Sequence, residues 1–197
     1  KKNMSDYSND LLKNYSKSHS AFIDSDDESH QSWFEDYFSR HYKKLLPLDK
    51  EISILEIGSN KGFLLRVLKD NGYSNLAGVD MDSLDVERSK SRVGTVNIFC
   101  GNYLDIDFSQ KFDVIIIKAV LEHVPKDQTM KMLEKIKSDL VDGGVAIIDV
   151  PNMDWLFASH ERYMDFTHET GFTNSSLHQI CSRIFDHVTV TPADHLF

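Results

Sequence analysis

The sequence predicts an α/β domain built on a doubly wound, mostly parallel sheet, and three observations carry that prediction. First, Ser53-Ile54-Leu55-Glu56-Ile57 is a short apolar run that ends in a glycine-flanked turn, Gly58-Ser59-Asn60-Lys61-Gly62, and opens at Phe63 into a helical pattern. Second, strand-like and helix-like segments alternate from there onward, the signature of repeated β-α-β units. Third, the run Val114-Ile115-Ile116-Ile117 is what a strand buried on both faces requires.

Each element has its own warrant. Ile52–Ile57 reads as strand one, and Leu64, Val67, Leu68 and Asn71 mark one face of the helix that follows and ends at Gly72. Leu76–Val79 is strand two, closed by Asp80; Ser83 to Arg92 is a helix capped by Asp82 or Ser83. Val96–Phe99 is strand three and Phe112–Ile117 strand four. Pro125 stands at a helix start ahead of the stripe Met130, Leu133, Ile136 and Leu140. Gly143-Gly144 then ends that helix and launches strand five, Val145–Val150. Leu177, Ile180, Cys181 and Ile184 form a last helical stripe, and His187–Thr191 reads as strand six. The expected strand order is 3-2-1-4-5 with strand six.

Upstream, residues 1–48 read as an N-terminal helical extension or lid, and 49–197 as the main domain. Leu11, Leu12 and Tyr15 form a weak apolar cluster, and Asp24 to Glu28 an acidic, solvated loop. Phe34, Tyr37, Phe38, His41 and Leu45 then fall at helical spacing until Pro47 stops the pattern. There is neither an internal repeat nor a low-complexity linker, so one domain is expected.

Composition narrows the function classes. An apolar share of 41% and a charged share of 27% are those of a soluble globular chain. No run reaches the length of a membrane helix, and no signal-peptide core stands at the start. A formal charge of −9, with Lys1-Lys2 and Lys43-Lys44 as the only basic doublets, argues against nucleic acid as a partner. Cys100 and Cys181 are too few for a disulfide framework; buried free thiols in a reducing cytoplasm are expected.

The turn after strand one makes a nucleotide-sized edge, because backbone N–H groups converge where a helix begins. A dinucleotide fingerprint needs a second glycine where this chain has Asn60, whose side chain would crowd a pyrophosphate. Asn tolerates the left-handed conformation the turn requires. A nucleoside ligand without phosphates fits better, and Asp80, 22 residues after Gly58, is placed to hold both hydroxyls of its ribose.

Five ordered motifs resemble those of the class I S-adenosylmethionine-dependent methyltransferases over roughly residues 50–190. Leu55-Glu56-Ile57-Gly58-Ser59-Asn60-Lys61-Gly62 looks like E-x-G-x-G-x-G with the middle glycine lost, and Gly78-Val79-Asp80-Met81 like the ribose-binding strand end. Gly101-Asn102-Tyr103 with Phe108 resembles G-D-A…F, Asn102 replacing Asp. Phe112-Asp113-Val114-Ile115 with Val120-Leu121-Glu122-His123-Val124 resembles F-D-V…V-L-E-H-V, and Leu140-Val141-Asp142-Gly143-Gly144 resembles L-x-P-G-G. The resemblance implies a Rossmann-like fold, S-adenosyl-L-methionine as cofactor and S-adenosyl-L-homocysteine as product. It implies that Glu56, Gly58, Ser59, Asn60 and Gly62 hold the methionine end, Asp80 the ribose, Met81, Asn102 and Tyr103 the adenine, and that Lys118-Ala119 pass the sulfonium. The family also carries a seventh strand, antiparallel beside strand five, for which too little chain follows here; it is expected to be incomplete or absent, and a place within a larger polysaccharide-synthesis protein would account for that.

For the acceptor, methyl transfer to a hydroxyl needs orientation and a base. His123, His160 and His168 are the candidates. The segment from Glu161 to Thr173 is too polar for core and long for a plain connector. Its Asp165-x-Thr167-His168, followed by Phe172-Thr173 and Leu177, resembles methyltransferases of bacterial surface-polysaccharide synthesis. That implies a sugar hydroxyl of a glycan or other small-molecule acceptor, with His168 as base, Asp165 orienting it and His123 beside them. Glu122-His123 also resembles the metal-binding E-x-x-E-H, but Ala119 stands where the first Glu belongs, so no metal is expected. A small aromatic or quinone-type acceptor is the alternative within the class. A nicotinamide-dependent oxidoreductase and a non-catalytic scaffold are the rivals outside it.

Overall fold

The structure, a computed structural model, describes residues 4–18, 27–94 and 96–193. Lys1-Lys2, the first part of the acidic run at 24–26 and the last residues, 194–197, lie outside the described residues.

Five strands make one sheet: Ser53–Ile57 (β1), Asn75–Asp80 (β2), Asn97–Cys100 (β3), Phe112–Lys118 (β4) and Leu140–Asp149 (β5). Their order is β3-β2-β1-β4-β5 and every neighbouring pair is parallel, as the sequence predicts. Alternation along the central strands feeds two cores. Leu55, Ile57, Ile115 and Ile117 point to one face, against Met132, Leu133 and Ile136 of the helix Thr129–Asp139 and Leu177 and Cys181 of the helix Asn174–Cys181. Ile54, Val114 and Ile116 point to the other, against the helices Phe63–Asp70 and Ser83–Val93 and against Phe38 and Tyr42. All seven of these strand residues are at most 2% exposed, so the sheet is covered on both faces.

The N-terminal residues form helices Met4–Leu12 (α1), Tyr15–Ser18 (α2) and Asp27–Tyr37 (α3), the last continuing as a π-turn over Phe38–Tyr42. Asp27 and Glu28, expected in a loop, are the first residues of α3, where acids suit the helix dipole. Numbered on, the later helices are Phe63–Asp70 (α4), Ser83–Val93 (α5), Thr129–Asp139 (α6), Ala158–Tyr163 (α7) and Asn174–Cys181 (α8). Phe34 of α3 stacks on Phe63 at the start of α4, with ring centroids 5.6 Å apart and planes 12° from parallel. Asp82 is the cap of α5, accepting from the Leu84 N–H at 2.9 Å.

Several expectations need correction. Residues 187–191 form no strand: β5 is the sheet's edge, no antiparallel neighbour lies beside it among the described residues, and Val188 and Val190 instead pack on the core. Pro125 does not start a helix. Its carbonyl accepts from the Gln128 N–H at 2.7 Å, closing a turn, and α6 begins only at Thr129. That helix ends at Asp139 rather than at Gly143-Gly144, because buried Leu140 already pairs with Phe112 as the first residue of β5. Cys100 is exposed, since β3 is the opposite edge strand; Cys181 is buried, and burial pushes its thiol up to about 11. No helix among the described residues is long and apolar enough to cross a membrane.

Leu133 of α6, fully buried in the core on that face of the sheet, is a direct probe of this packing. Leu133→Ala is expected to cost about 2–5 kcal/mol of unfolding free energy, while Leu156→Ala, at a side chain 86% exposed, stays within about 0.5 kcal/mol. Urea unfolding followed by circular dichroism measures both.

Candidate active site

In a doubly wound sheet the connections diverge from the first strand, and a crevice opens at the carboxyl ends of the strands on either side of that point. Here those strands are β1 and β4, and a cavity of about 770 Å³ lies over their ends. All the residues expected to hold the cofactor line it except Gly62, which shapes the turn from behind.

The turn itself is built from positive φ angles. Gly58 has φ +74°, and a Cβ there would stand 2.2 Å from Val120 Cγ2, so the first position admits only glycine. Asn60 adopts φ +44°, the left-handed conformation expected of it. Its side chain does not crowd the cavity mouth; Nδ2 donates to Asp85 Oδ2 of α5 at 3.0 Å. The backbone donors differ from expectation. The N–H groups of Gly58 and Ser59 both donate to the Val79 carbonyl, that of Gly62 to the Ser59 carbonyl, and that of Asn60 to Asp80 Oδ2 at 2.7 Å. Three of these donors fasten the turn to β2 and the fourth closes it on itself, so they do not form an anion cradle.

Asp80 is held from both sides, accepting from Asn60 N–H and from Asp82 N–H at 2.8 Å. Burial pushes its carboxyl up to about 6 against those two donors. Glu56 is deeper still: burial, and then the neighbouring Asp80, raise it well above the usual carboxylate range, and its Oε2 is buried without a hydrogen-bond partner. Asn102 accepts from Leu104 N–H through Oδ1 and so caps the turn it begins. The Tyr103 hydroxyl donates to Asp139 at 2.7 Å, which ties its ring to α6.

Lys118 ends β4 at the cavity, and its ammonium is neutralised where it stands. Asp149 Oδ2 lies 3.0 Å from Nζ and also accepts from the hydroxyls of Tyr37 and Tyr42, each at 2.7 Å, while Nζ sits 4.1 Å above the Tyr37 ring. Burial and Asp149 raise the Tyr42 phenol far above its ordinary value, so it remains a donor. Ala119, at φ +51°, turns the chain away from the sheet, its N–H donating to the Asp149 carbonyl.

Beyond Ala119 the 3₁₀ turn Leu121–His123 brings Glu122 and His123 under the cavity, and the loop after α7 meets them there. Asp165 and Thr167, expected to be too polar for core, are 7% and 3% exposed. Asp165 Oδ1 accepts from the N–H and hydroxyl of Thr167, and Oδ2 from the Tyr15 hydroxyl at 2.8 Å. Burial opposes ionisation of Asp165, yet these donors and His123 hold its carboxyl below the ordinary range. Since the Thr167 proton goes to Asp165, Thr167 Oγ1 accepts from His123 Nδ1, 2.8 Å away. Asp165 thus orients His123 through Thr167, not His168 as the sequence suggests. His168 is held instead by the Glu161 carbonyl, 2.9 Å from Nδ1, with its ring centroid 4.7 Å from that of His123. His123 lines the cavity, His168 and Asp165 stand behind it, and His160 faces solvent on α7. Glu122 is 2% exposed with both carboxylate oxygens lacking a hydrogen-bond partner; burial pushes it up to about 8.

The wall opposite comes from helices whose role sequence reasoning missed in detail. Leu12, Tyr15, His30, Trp33 and Phe34 line the cavity from the N-terminal side. The helical spacing of Phe34 and Tyr37 was the available signal; nothing local marked Tyr15 or His30 as facing a site.

Comparisons with known proteins agree with this geometry. The profile of a family described as "Methyltransferase domain" matches residues 30–196. An uncharacterized methyltransferase of Staphylococcus carnosus is 24% identical over 156 residues, 79% of this chain and 72% of that one. Among solved structures, a SAM-dependent methyltransferase from Archaeoglobus fulgidus superposes with a TM-score of 0.66 at 20% identity, over 78% of this chain and 68% of its own. The DhpI–SAH complex superposes with a TM-score of 0.62 at 15% identity, over 90% and 83%.

The turn geometry predicts an asymmetry between two substitutions. Gly58→Ala is expected to lower stability by about 1–3 kcal/mol, from strain at positive φ and the clash with Val120. Asn60→Gly keeps the φ and loses one hydrogen bond, about 1 kcal/mol. Paired denaturation curves report the difference.

Proposed function

Because the chain belongs to the S-adenosylmethionine-dependent methyltransferase family, we propose that it transfers the sulfonium methyl group to a sugar hydroxyl of a glycan or polysaccharide precursor. The observation that carries this reading is the relay Asp165–Thr167–His123 at the cavity wall, next to the Lys118-Ala119 turn. An oxygen acceptor must lose its proton as it attacks. With Nδ1 donating to Thr167, neutral His123 directs the Nε2 lone pair away from the relay, and His168 is fixed in the same tautomer beside it. The hydroxyl proton passes to His123 while the oxygen attacks the methyl carbon in line with its bond to sulfur.

The cofactor's parts match the lining. The ionised Asp80 accepts the ribose hydroxyls, Met81 packs on the adenine, and Asn102 meets its amino group. Gly58, Ser59 and Asn60 border the methionine end, and Gly62 keeps the turn closed. Lys118 does not repel the sulfonium, because Asp149 offsets its charge. The helices α1 to α3 act as the lid. Trp33, 46% exposed and stacked on Tyr37 at 4.9 Å, gives a sugar ring an aromatic face, and the volume of about 770 Å³ leaves room for an acceptor beside the nucleoside.

Two measurements test this. Radiolabelled S-adenosylmethionine with a panel of sugar nucleotides, oligosaccharides and catechols should label the sugars; label on catechols alone would favour the aromatic alternative. On the labelled acceptor, His123→Ala is expected to lower kcat about 10²–10⁴-fold, and His168→Ala by less. For the cofactor site, protonating Asp80 removes the charged acceptor. S-adenosylhomocysteine affinity by calorimetry should therefore hold above pH 7 and fall about tenfold by pH 5, where roughly one carboxylate in ten stays ionised. A flat profile would remove Asp80 from this role.

A further inference from the structure

Glu122, His123 and His168 offer ligating atoms that all lie within 4.8 Å of one another, the one grouping of this kind among the described residues. The first and last come from segments 46 residues apart, and the sheet's connections bring them together. The E-x-x-E-H comparison lacks its first acid at Ala119, but the later loop supplies His168 to the same place.

Glu122 is the telling member. Its side chain is buried, and neither carboxylate oxygen has a hydrogen-bond partner. A buried acceptor left this way costs about 1–3 kcal/mol or more, and bound ions are among the few things that account for one. The two imidazoles are prepared in the matching sense. His168 Nδ1 donates to the Glu161 carbonyl, and His123 Nδ1 donates to Thr167, itself held by Asp165. A hydrogen bond on the remote ring nitrogen is the usual outer support of a metal-bound histidine, because it fixes the ring and leaves Nε2 to coordinate.

We propose that Glu122, His123 and His168 bind one divalent transition-metal ion at the floor of the cavity. Two nitrogens and one carboxylate suit Zn²⁺, Co²⁺, Fe²⁺ or Mn²⁺, and not Mg²⁺ or Ca²⁺, which take oxygen ligands. Bonds of about 2.0–2.2 Å place tetrahedral ligands about 3.4 Å apart, so the widest pair here, at 4.8 Å at most, draws in by about 1.4 Å to close the site. Three protein ligands leave open positions, and His123 at the cavity wall gives them a way out to the acceptor. The ion and the hydroxyl proton compete for the same lone pairs. An acceptor oxygen coordinated to the ion would be acidified and would give its proton to solvent water, because His123 would be occupied as a ligand; without the ion, His123 takes the proton.

Chelator-stripped protein titrated with CoCl₂, followed by visible absorption and by calorimetry, tests the proposal without acceptor or methyl transfer, so a negative result leaves the sugar-hydroxyl reading intact. The expected result is one site per chain with a d–d band, weakened at least tenfold in Glu122→Gln and His168→Ala and about tenfold in Thr167→Val. ZnCl₂ should displace the Co²⁺ band, whereas a large excess of MgCl₂ should not. Circular dichroism melting checks that the variants fold; where one does not, the wild-type band alone decides. No band at stoichiometric Co²⁺, or variants that fold and bind as the wild type does, overturns the proposal.

Discussion

The molecule depends on one constraint: parallel crossovers leave β1 in opposite directions, so the carboxyl ends of β1 and β4 cannot be covered by their own connections. Everything chemically unusual gathers there. Glu56 stands one residue before the end of β1, Asp80 ends β2, Lys118 ends β4 and Asp149 ends β5, four ionisable residues at the same edge of a sheet whose interior is almost wholly aliphatic. The crevice is a consequence of topology. The chain fills its margin with polar groups and its centre with a cavity.

Keeping those groups in place is costly, and the structure divides the task. Asp149 is satisfied outright by Lys118 and two tyrosine hydroxyls, so that pair is a strut. Asp80 is held by two backbone donors yet is still pushed up by burial, as expected of a carboxylate poised to accept something further. Glu56 and Glu122 remain without enough partners, and Ser59 Oγ and Asn60 Oδ1 are likewise buried and unsatisfied. Orphaned polar atoms in and under the cavity wall are a stability deficit. A ligand that hydrogen-bonds to them would relieve it.

Much of this was legible in the residues. Apolar alternation, turn glycines and the acid after strand two gave the strand order and the nucleoside edge, because those features act over a few residues at a time. What failed needed information from further off. Whether 187–191 pairs depends on a neighbouring strand, which the described residues do not offer, and whether Pro125 starts a helix depends on where its carbonyl is spent. The burial of Asp165 and Thr167 follows from Tyr15, 150 residues away, and from His123. Loss of the middle glycine pointed correctly away from a pyrophosphate but for an incomplete reason: Asn60 turns its side chain to Asp85, and the donors of the turn are already occupied by Val79, Ser59 and Asp80.

Electron density from crystals grown with S-adenosylhomocysteine would show where the cofactor's ribose and sulfur lie. The ribose hydroxyls are expected on the Asp80 carboxylate and the thioether sulfur beside Lys118-Ala119, on the side of the cavity where His123 stands. A nucleoside bound with its ribose away from Asp80, or with its sulfur facing away from His123, would contradict that placement.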